Sequence, residues 1–215
     1  MVKLLKRTRK RNLITYTFPE SKISEEFRTI RTNVHFVTEG KKHTVILITS
    51  PKSGEGKSTT AANLAVSMAQ QDEKVLLIDA NLRRPAVHLI FKLPNSGGLT
   101  EVLTGNTQFE EAVTNTEIGK LDILSSGTFT NNPAELLASQ AMKELLQKAA
   151  QVYDIVIIDS APVLDLTDTK LFASQCDGVL LVLSQGNTQI EDAAEAKKAL
   201  EFAKGDVSGV ILNEM

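Results

Sequence analysis

The residues best suited to chemistry lie in one segment, Thr44 to Thr60, with the sequence TVILITSPKSGEGKSTT. Gly54 and Gly56 allow the backbone to approach a bound group closely. Lys57 supplies a mobile cation, and the hydroxyl of Ser58 can ligate Mg²⁺. If a helix begins here, its first turn adds unpaired N–H groups and partial positive charge. The segment is therefore suited to binding a polyphosphate.

The elements around this segment support a phosphate-binding loop. Residues 44–49 are apolar or β-branched, which is typical of a buried strand, and a helical pattern follows from residue 56 to about residue 71. A strand, a glycine-bearing turn, Gly-Lys-Ser and a helix together indicate nucleotide binding. The segment departs from the general pattern at one position, where Pro51 stands in place of the first glycine.

Two carboxylates follow other apolar runs. Asp79 ends the strand pattern KVLLIDA of residues 74–80, and Asp159 ends a second one, YDIVIID, at residues 153–159. Ligands of open α/β sheets bind at the carboxyl ends of the strands, so both carboxylates are candidate Mg²⁺ partners. Arg83 and Arg84 come directly after the first run, either as phosphate clamps or as the exposed start of a helix.

Strand and helix patterns alternate along the rest of the chain. Further strands are predicted at residues 121–124, 178–184 and 208–212, and longer helices at residues 140–151 and 189–203. Short helices are predicted in residues 95–120 and near residue 133. About six apolar strands alternating with helices predict an α/β fold with a mainly parallel sheet covered on both faces.

Composition predicts one soluble, intracellular domain. The chain has 215 residues and a formal net charge of −2, so overall charge implies neither nucleic acid nor membrane. The single Cys176 excludes an internal disulfide and fits a reducing compartment. We expect no membrane span and no signal peptide, because no apolar run is long enough. The three histidines are scattered, so no zinc cluster is expected.

The first 38 residues have two distinct patterns. Residues 1–20 are predicted to be a flexible tail, whose first 12 residues contain six basic side chains and no acid. This tail is either solvated or held near an anionic membrane face or a partner. The next predicted element, residues 21–38, is an amphipathic helix that carries Glu25, Arg28 and Arg31 three residues apart. These three residues form either intrahelical ion pairs or a contact between subunits.

Together these motifs resemble the bacterial tyrosine kinases of the deviant Walker class. The resemblance is to the stand-alone kinases of Gram-positive capsule and exopolysaccharide operons, and it covers Ser21 to Asn213. It rests on E-x-x-R-x-x-R, ITSPKSGEGKSTTAANLA, VLLIDANLRRP, GGLTEVLTG, NPAELL and VIIDSAP. It implies a doubly wound sheet of the MinD/ParA-like P-loop NTPase class, with one kinase domain at residues 21–215 and an oligomerisation helix at 21–38.

The resemblance also implies the activity and the site. Such kinases use ATP and Mg²⁺ to phosphorylate protein tyrosines, including a cluster at their own C-terminus. The implied nucleotide-binding residues are Ser53, Gly54, Glu55, Gly56, Lys57, Ser58, Thr59 and Asn213. The implied catalytic residues are Lys57, Asp79, Asn81 and Asp159, and the implied Mg²⁺ partners are Ser58, Asp79 and Asp159.

The same resemblance implies partners and a location. Kinases of this family form rings in which the E-x-x-R-x-x-R helix reaches a neighbouring subunit, so an oligomer contact is expected for Glu25, Arg28 and Arg31. They are activated by a membrane adaptor of the polysaccharide co-polymerase type. The chain is therefore expected to be cytoplasmic and peripheral to the inner face of the cell membrane.

The sequence departs from the family pattern at two positions and in one missing tyrosine cluster. Asn81 stands where the family usually has an aspartate, and asparagine cannot accept a proton. Ser53 replaces a common proline, and the tyrosine-rich C-terminal cluster is absent, since Tyr16 and Tyr153 are the two tyrosines of the sequence. Two alternatives therefore accompany the kinase hypothesis. One is a ParA/MinD-like ATPase switch, and the other is an ATP-binding scaffold weakened by Asn81.

Overall fold

The computed structural model describes residues 13–38 and 43–214. Within these ranges one seven-stranded sheet has the order β3-β4-β2-β5-β1-β6-β7. All neighbouring strands are parallel except β3 and β4. The strands are β1 (Thr44–Thr49), β2 (Val75–Asp79), β3 (Thr114–Asn115), β4 (Leu121–Leu124), β5 (Ile155–Asp159), β6 (Gly178–Ser184) and β7 (Val207–Asn213).

Helices follow most of these strands. The described helices are α1 (Ile14–Thr17), α2 (Lys22–Val37), α3 (Lys57–Ala69), α4 (Val87–Phe91), α5 (Leu99–Leu103), α6 (Phe109–Ala112), α7 (Pro133–Leu137), α8 (Gln140–Val152) and α9 (Ile190–Phe202). Two 3₁₀ turns, Asp168–Leu171 and Ala173–Gln175, lie between β5 and β6. The predicted α/β fold with a mainly parallel sheet is confirmed. Sequence analysis missed β3, since two exposed residues carry no strand periodicity.

The core lies on both faces of the sheet. Every residue of β1, β2 and β5 is buried, because helices cover both faces of these central strands. Ile46 and Ile157 face the cluster that includes α3, whereas the adjacent Leu47 and Ile158 face the cluster that includes α8. This alternation follows the two-residue period of a strand, so a slip of one residue would exchange the two sets of side chains.

The boundary of the predicted N-terminal tail is wrong for residues 13–20. Thr15 is only 1% exposed, its backbone N–H donates to Asn63 Oδ1 at 3.0 Å and its hydroxyl donates to the same oxygen at 2.9 Å. Ser24 Oγ also donates to the carbonyl of Phe18 at 2.7 Å. These bonds hold α1 against α3 and α2, because buried polar groups need partners. Residues 1–12, with the basic run, lie outside the described residues.

The order of the strands brings three carboxyl ends together. Strand β5 lies between β1 and β2, and all three run in the same direction. The segments that follow these strands therefore emerge at one edge of the sheet, where ligands of open α/β folds bind. Among the described residues, no helix is both long enough and apolar enough to cross a bilayer.

Candidate functional site

The turn between β1 and α3 has the backbone of an anion-binding loop. Gly54 and Gly56 have φ values of 90° and 88°, a left-handed conformation that side chains with a Cβ rarely adopt. Lys57 is the first residue of α3 and is buried, and Ser58 and Thr59 continue its first turn. The first N–H groups of a helix have no intrahelical partners, so this turn presents donors to an anion.

The side chain of Glu55 holds the loop from inside. It is 6% exposed, and its carboxylate accepts hydrogen bonds from the backbone N–H of Lys52 at 2.9 Å and from the hydroxyl of Thr188. The side-chain amide of Asn213 donates to the Glu55 carbonyl at 2.9 Å. Glu55 can therefore offer its backbone to a ligand, while its carboxylate fixes the shape of the loop. The predicted site residue Asn213 lies beside this loop.

The segment after β5 holds the loop from the other side. The backbone N–H groups of Val163 and Leu164 donate to the carbonyls of Ser50 and Pro51 at 2.9 and 3.1 Å. Asp165 Oδ2 accepts a hydrogen bond from the backbone N–H of Ser53 at 3.2 Å. Sequence analysis missed Asp165, because no motif marks a contact between residues 112 positions apart.

Lys52 is held within its own chain. Its Nζ lies 2.6 Å from Asp192 Oδ2 on α9, and this hydrogen bond raises the pKa of Lys52. A cavity of about 270 Å³ lies at this end of the loop. It is lined by Lys52, Ser53, Gly54, Glu55, Ser184, Asn187, Thr188 and Asp192.

The two predicted carboxylates come together beside the loop. Asp79 and Asp159 are paired in register at the ends of β2 and β5, and both are 0% exposed. Asp79 Oδ1 accepts from the backbone N–H of Asn81 at 3.2 Å, and Oδ2 accepts from the N–H groups of Ala86 and Val87 at 2.9 Å each. Three of about four acceptor positions on this carboxylate are therefore occupied by the chain itself.

Burial and charge perturb this pair strongly. Burial, with the nearby Asp159 as the second cause, raises the pKa of Asp79 to about 7, against the opposing effect of its backbone hydrogen bonds. A bound cation would offset both the cost of burying the Asp79 charge and its repulsion by Asp159. Among residues 13–38 and 43–214, no three His, Cys, Asp or Glu side chains converge into a metal cluster. Two carboxylates at one site could hold a Mg²⁺ ion only if it also took oxygen ligands from a bound phosphate, as Mg²⁺ commonly does.

Asn81 and two arginines surround a second cavity. Asn81 is 4% exposed, and its Oδ1 accepts a hydrogen bond from the backbone N–H of Arg84 at 3.4 Å. Arg83 donates from Nε and Nη2 to the two carboxylate oxygens of Asp168, at 2.7 and 3.2 Å. Sequence analysis also missed Asp168. The cavity has a volume of about 320 Å³ and is lined by Ser53, Asn81, Arg83, Arg84, Pro162, Asp165 and Leu166.

The E-x-x-R-x-x-R motif lies on α2, and its three members have different environments. Arg28 Nη1 is 2.6 Å from Glu25 Oε2, and both side chains are at least partly exposed. Arg31 is instead 7% exposed and donates to the carbonyl of Ser67 on α3 at 2.5 Å. The members of the motif that α2 presents at the surface are therefore Glu25 and Arg28, and Arg31 packs within the chain.

Comparison with known proteins identifies relatives along nearly the whole chain. A family model described as an AAA domain matches residues 43–201. The tyrosine-protein kinase YwqD of Bacillus subtilis is 49% identical over 203 residues, which cover 94% of this chain and 86% of YwqD. The putative tyrosine-protein kinase CapB of Staphylococcus aureus is 36% identical, with coverages of 94% and 89%.

Solved structures with a similar fold include a tyrosine kinase domain and a related ATPase. The kinase domain of the Escherichia coli tyrosine kinase ETK superposes with a TM-score of 0.92 at 32% identity, covering 98% of this chain and 84% of that chain. The cell-division ATPase MinD of Pyrococcus furiosus has a TM-score of 0.69 at 25% identity and covers 80% of this chain and 72% of its own. The fold is thus that of the deviant Walker phosphate-loop proteins. By sequence and structure, the chain belongs to the bacterial tyrosine-protein kinase family.

Proposed function

We propose that this chain transfers the γ-phosphoryl group of ATP to tyrosine hydroxyls of proteins that control capsule or exopolysaccharide synthesis. The observation that carries the proposal is the arrangement of the phosphate loop beside the buried pair Asp79 and Asp159. A cavity that can admit an acceptor touches the loop at Ser53 and lies next to the carboxylate pair at Asn81. The names of YwqD and CapB support the choice of tyrosine as the acceptor.

The phosphate loop binds and orients the nucleotide. Backbone N–H groups from Gly54 to Thr59 donate to the phosphate oxygens, while Lys57 balances the charge that develops on the transferred group. The N–H of Ser53 joins them only when it releases Asp165. The loop needs no large rearrangement to do so, since Glu55 and Asn213 already fix its shape. Catalysis by such a loop is mainly positioning and electrostatic stabilisation.

The carboxylates and one hydroxyl would hold Mg²⁺. Ser58 is suited to direct ligation, while Asp79 and Asp159 are suited to contact through water, since the chain already occupies most acceptor positions of Asp79. When bound, the ion neutralises charge on the β- and γ-phosphates. Both carboxylates are buried, so they would meet the ion out of contact with bulk solvent.

Asn81 limits the rate of transfer. Its side-chain amide can donate a hydrogen bond to an acceptor hydroxyl but cannot take its proton. Phosphoryl transfer depends chiefly on position and charge, so we infer reduced but measurable activity. Tyr153 is a poor acceptor, because it is 4% exposed and its hydroxyl donates to Asp122 Oδ2 at 2.9 Å.

Regulation takes place at the membrane. A membrane adaptor of the polysaccharide co-polymerase type activates the chain through its cytoplasmic tail and keeps it, as a cytoplasmic protein, at the inner face of the cell membrane. The active form is a ring of identical subunits that contact one another through Glu25 and Arg28 of α2. The similarity to the crystal structure of the chimerical protein CapA2B2, with a TM-score of 0.90, supports this assignment.

The structural similarity to MinD favours a second candidate, an ATPase switch that controls dimerisation. Such switches use a lysine early in the phosphate loop. Here Lys52 Nζ is held 2.6 Å from Asp192 of its own chain. This bond favours the kinase over the switch, as does the higher similarity to the ETK kinase domain.

The test is transfer of labelled phosphate from ATP to a tyrosine peptide, with the cytoplasmic tail of the cognate adaptor present. Wild-type chain is compared with Lys57→Met and with Lys120→Met, which removes an exposed cation from the opposite end of the sheet. We expect Lys57→Met to lose about 10²–10³-fold in rate and the control to lose none. ATP hydrolysis with no transfer to tyrosine would favour the switch. ATP binding with neither reaction would favour the weakened scaffold.

A further inference from the structure

The cavity next to Asn81 has features of a peptide-binding site. Pro162 and Leu166 provide apolar surface, and Arg83 and Arg84 lie on its exposed rim. Resting on the kinase function proposed above, we propose that this cavity receives the acceptor tyrosine and that the two arginines select tyrosines flanked by acidic residues. The substrate class is therefore an acidic tyrosine-containing segment.

The apolar part of the cavity suits an aromatic ring. A tyrosine side chain combines a large apolar body with one polar atom, so it binds best where apolar surface ends at a hydrogen-bonding group. Here Pro162 and Leu166 supply the surface and the amide of Asn81 supplies the polar group. The backbone N–H of Asn81 donates to Asp79 Oδ1, so the residue that would meet the hydroxyl adjoins the carboxylate pair.

Asp168 fixes the orientation of Arg83. The Asp168 side chain is 2% exposed and accepts two hydrogen bonds from the Arg83 guanidinium, whose side chain is 40% exposed. This contact uses two of the five N–H donors of arginine and leaves three for a ligand. A guanidinium held in this way binds a carboxylate at low entropic cost, so Asp168 is a positioning residue.

Charge on the cavity favours an acidic ligand. The acids near Arg83 and Arg84 are Asp165 and Asp168, and both already accept hydrogen bonds from the chain. The charged side chains that line the cavity are Arg83, Arg84 and Asp165, so two exposed cations stand against one acid. A carboxylate next to the acceptor tyrosine complements the two cations.

The test uses three peptides that differ only in the residues beside one tyrosine, which are Glu, Gln or Lys. Binding of fluorescent peptides is measured by anisotropy with Mg²⁺ and a non-hydrolysable ATP analogue, and kcat/KM is measured with ATP. The proteins are wild type, Arg83→Gln, Arg84→Gln, Arg84→Lys and the distant control Lys120→Gln. Asp168→Asn tests the positioning role of Asp168.

We expect wild type to favour the Glu peptide over the Gln peptide by about fivefold in both measurements. Arg83→Gln and Arg84→Gln should each bring this ratio close to one. Arg84→Lys should retain part of the ratio, and Lys120→Gln should retain all of it. Asp168→Asn should reduce the ratio while leaving KM for ATP unchanged.

Two results would overturn the inference while leaving the kinase function intact. One is equal binding and equal transfer for all three peptides. The other is a loss in Arg83→Gln and Arg84→Gln that is the same for every peptide and accompanied by a higher KM for ATP, which would assign the arginines to the nucleotide phosphates. Acid-selective binding without transfer to any peptide would support the site and refute the kinase function.

Discussion

Asp79 and Asp159 are opposed partners on the adjacent parallel strands β2 and β5, and neither is exposed to solvent. Two carboxylates in this position are costly unless a proton or a cation is shared between them. This cost raises the pKa of Asp79 to about 7. Burial is the main cause of the raised pKa and the charge of Asp159 is the second. If this pair holds Mg²⁺, as proposed above, binding of the cation and binding of a proton would compete.

The first prediction concerns the pH dependence of stability. The pKa of Asp79 is about 7 in the folded chain, against an ordinary value of 3.8, so the folded state binds this proton more tightly. The contribution of this proton to the free energy of unfolding is complete below about pH 4. It is lost as pH rises towards 7, at up to about 1.4 kcal/mol per pH unit. Urea unfolding without Mg²⁺ at several pH values measures this loss of unfolding free energy.

Asp79→Asn is the matched variant for that experiment. This substitution also disturbs three hydrogen bonds from backbone N–H groups to Asp79. The comparison therefore uses the pH dependence of the unfolding free energy and not its absolute value. The slope of unfolding free energy against pH should become flatter between pH about 4 and 7 than in wild type. Equal slopes in the two proteins would show that Asp79 does not hold a raised pKa.

The second prediction concerns Asn81→Asp. A carboxylate at this position can accept the proton of an acceptor hydroxyl, so we expect transfer to a tyrosine peptide to rise by about 10²-fold. Single-turnover phosphoryl transfer at pH 8 measures the change, with Asn95→Asp, whose side chain lies by Ser126, as a control. An unchanged rate in Asn81→Asp would mean that this position does not act as a base.

The third prediction concerns association of the subunits. Glu25 and Arg28 form the partly exposed ion pair on α2, so Arg28→Glu should place two acids three residues apart at the proposed contact. We expect smaller oligomers, measured by light scattering after size exclusion, with little change in unfolding free energy. Lys22→Glu, on the same helix but outside the motif, is the control. Oligomers of the wild-type size in Arg28→Glu would contradict the proposed contact.

The fourth prediction concerns the attachment of α1. Thr15→Val removes the buried hydroxyl that bonds to Asn63 on α3 and should lower the free energy of unfolding by about 1–2 kcal/mol. Thr17→Val removes an exposed hydroxyl that donates to the carbonyl of Leu13, the residue before α1. This variant should change the free energy of unfolding by less than about 0.5 kcal/mol. Denaturant titration compares the two variants, and equal effects would mean that the buried bond between the Thr15 hydroxyl and Asn63 adds no stability.

The fifth prediction concerns the reactivity of Cys176. Its thiol donates to the carbonyl of Phe172, and burial raises the pKa of the thiol above its ordinary value. Thiolate is the reactive form, so alkylation at pH 8 should be at least about tenfold slower in folded chain than in urea. The single cysteine makes the label unambiguous. Equal rates in both states would contradict a protected thiol.

The sequence alone predicted most of the strands and helices and the position of the phosphate loop. Apolar runs predict strands, the glycines and Gly-Lys-Ser predict an anion-binding turn, and both Asp79 and Asp159 are marked by their places at strand ends. These signals are local, because strand burial and helix starts depend on residues within a few positions of each other. Sequence analysis correctly anticipated the fold class for the same reason.

Only the tertiary structure decided which side chains meet. The inward orientation of Glu55 depends on Thr188, 133 residues away, and the orientation of Arg83 depends on Asp168, 85 residues away. Arg31 lies on a polar stripe of its helix in the sequence, yet packing against α3 buries it. Such pairings follow from strand order and from the burial of polar groups, which no local pattern encodes.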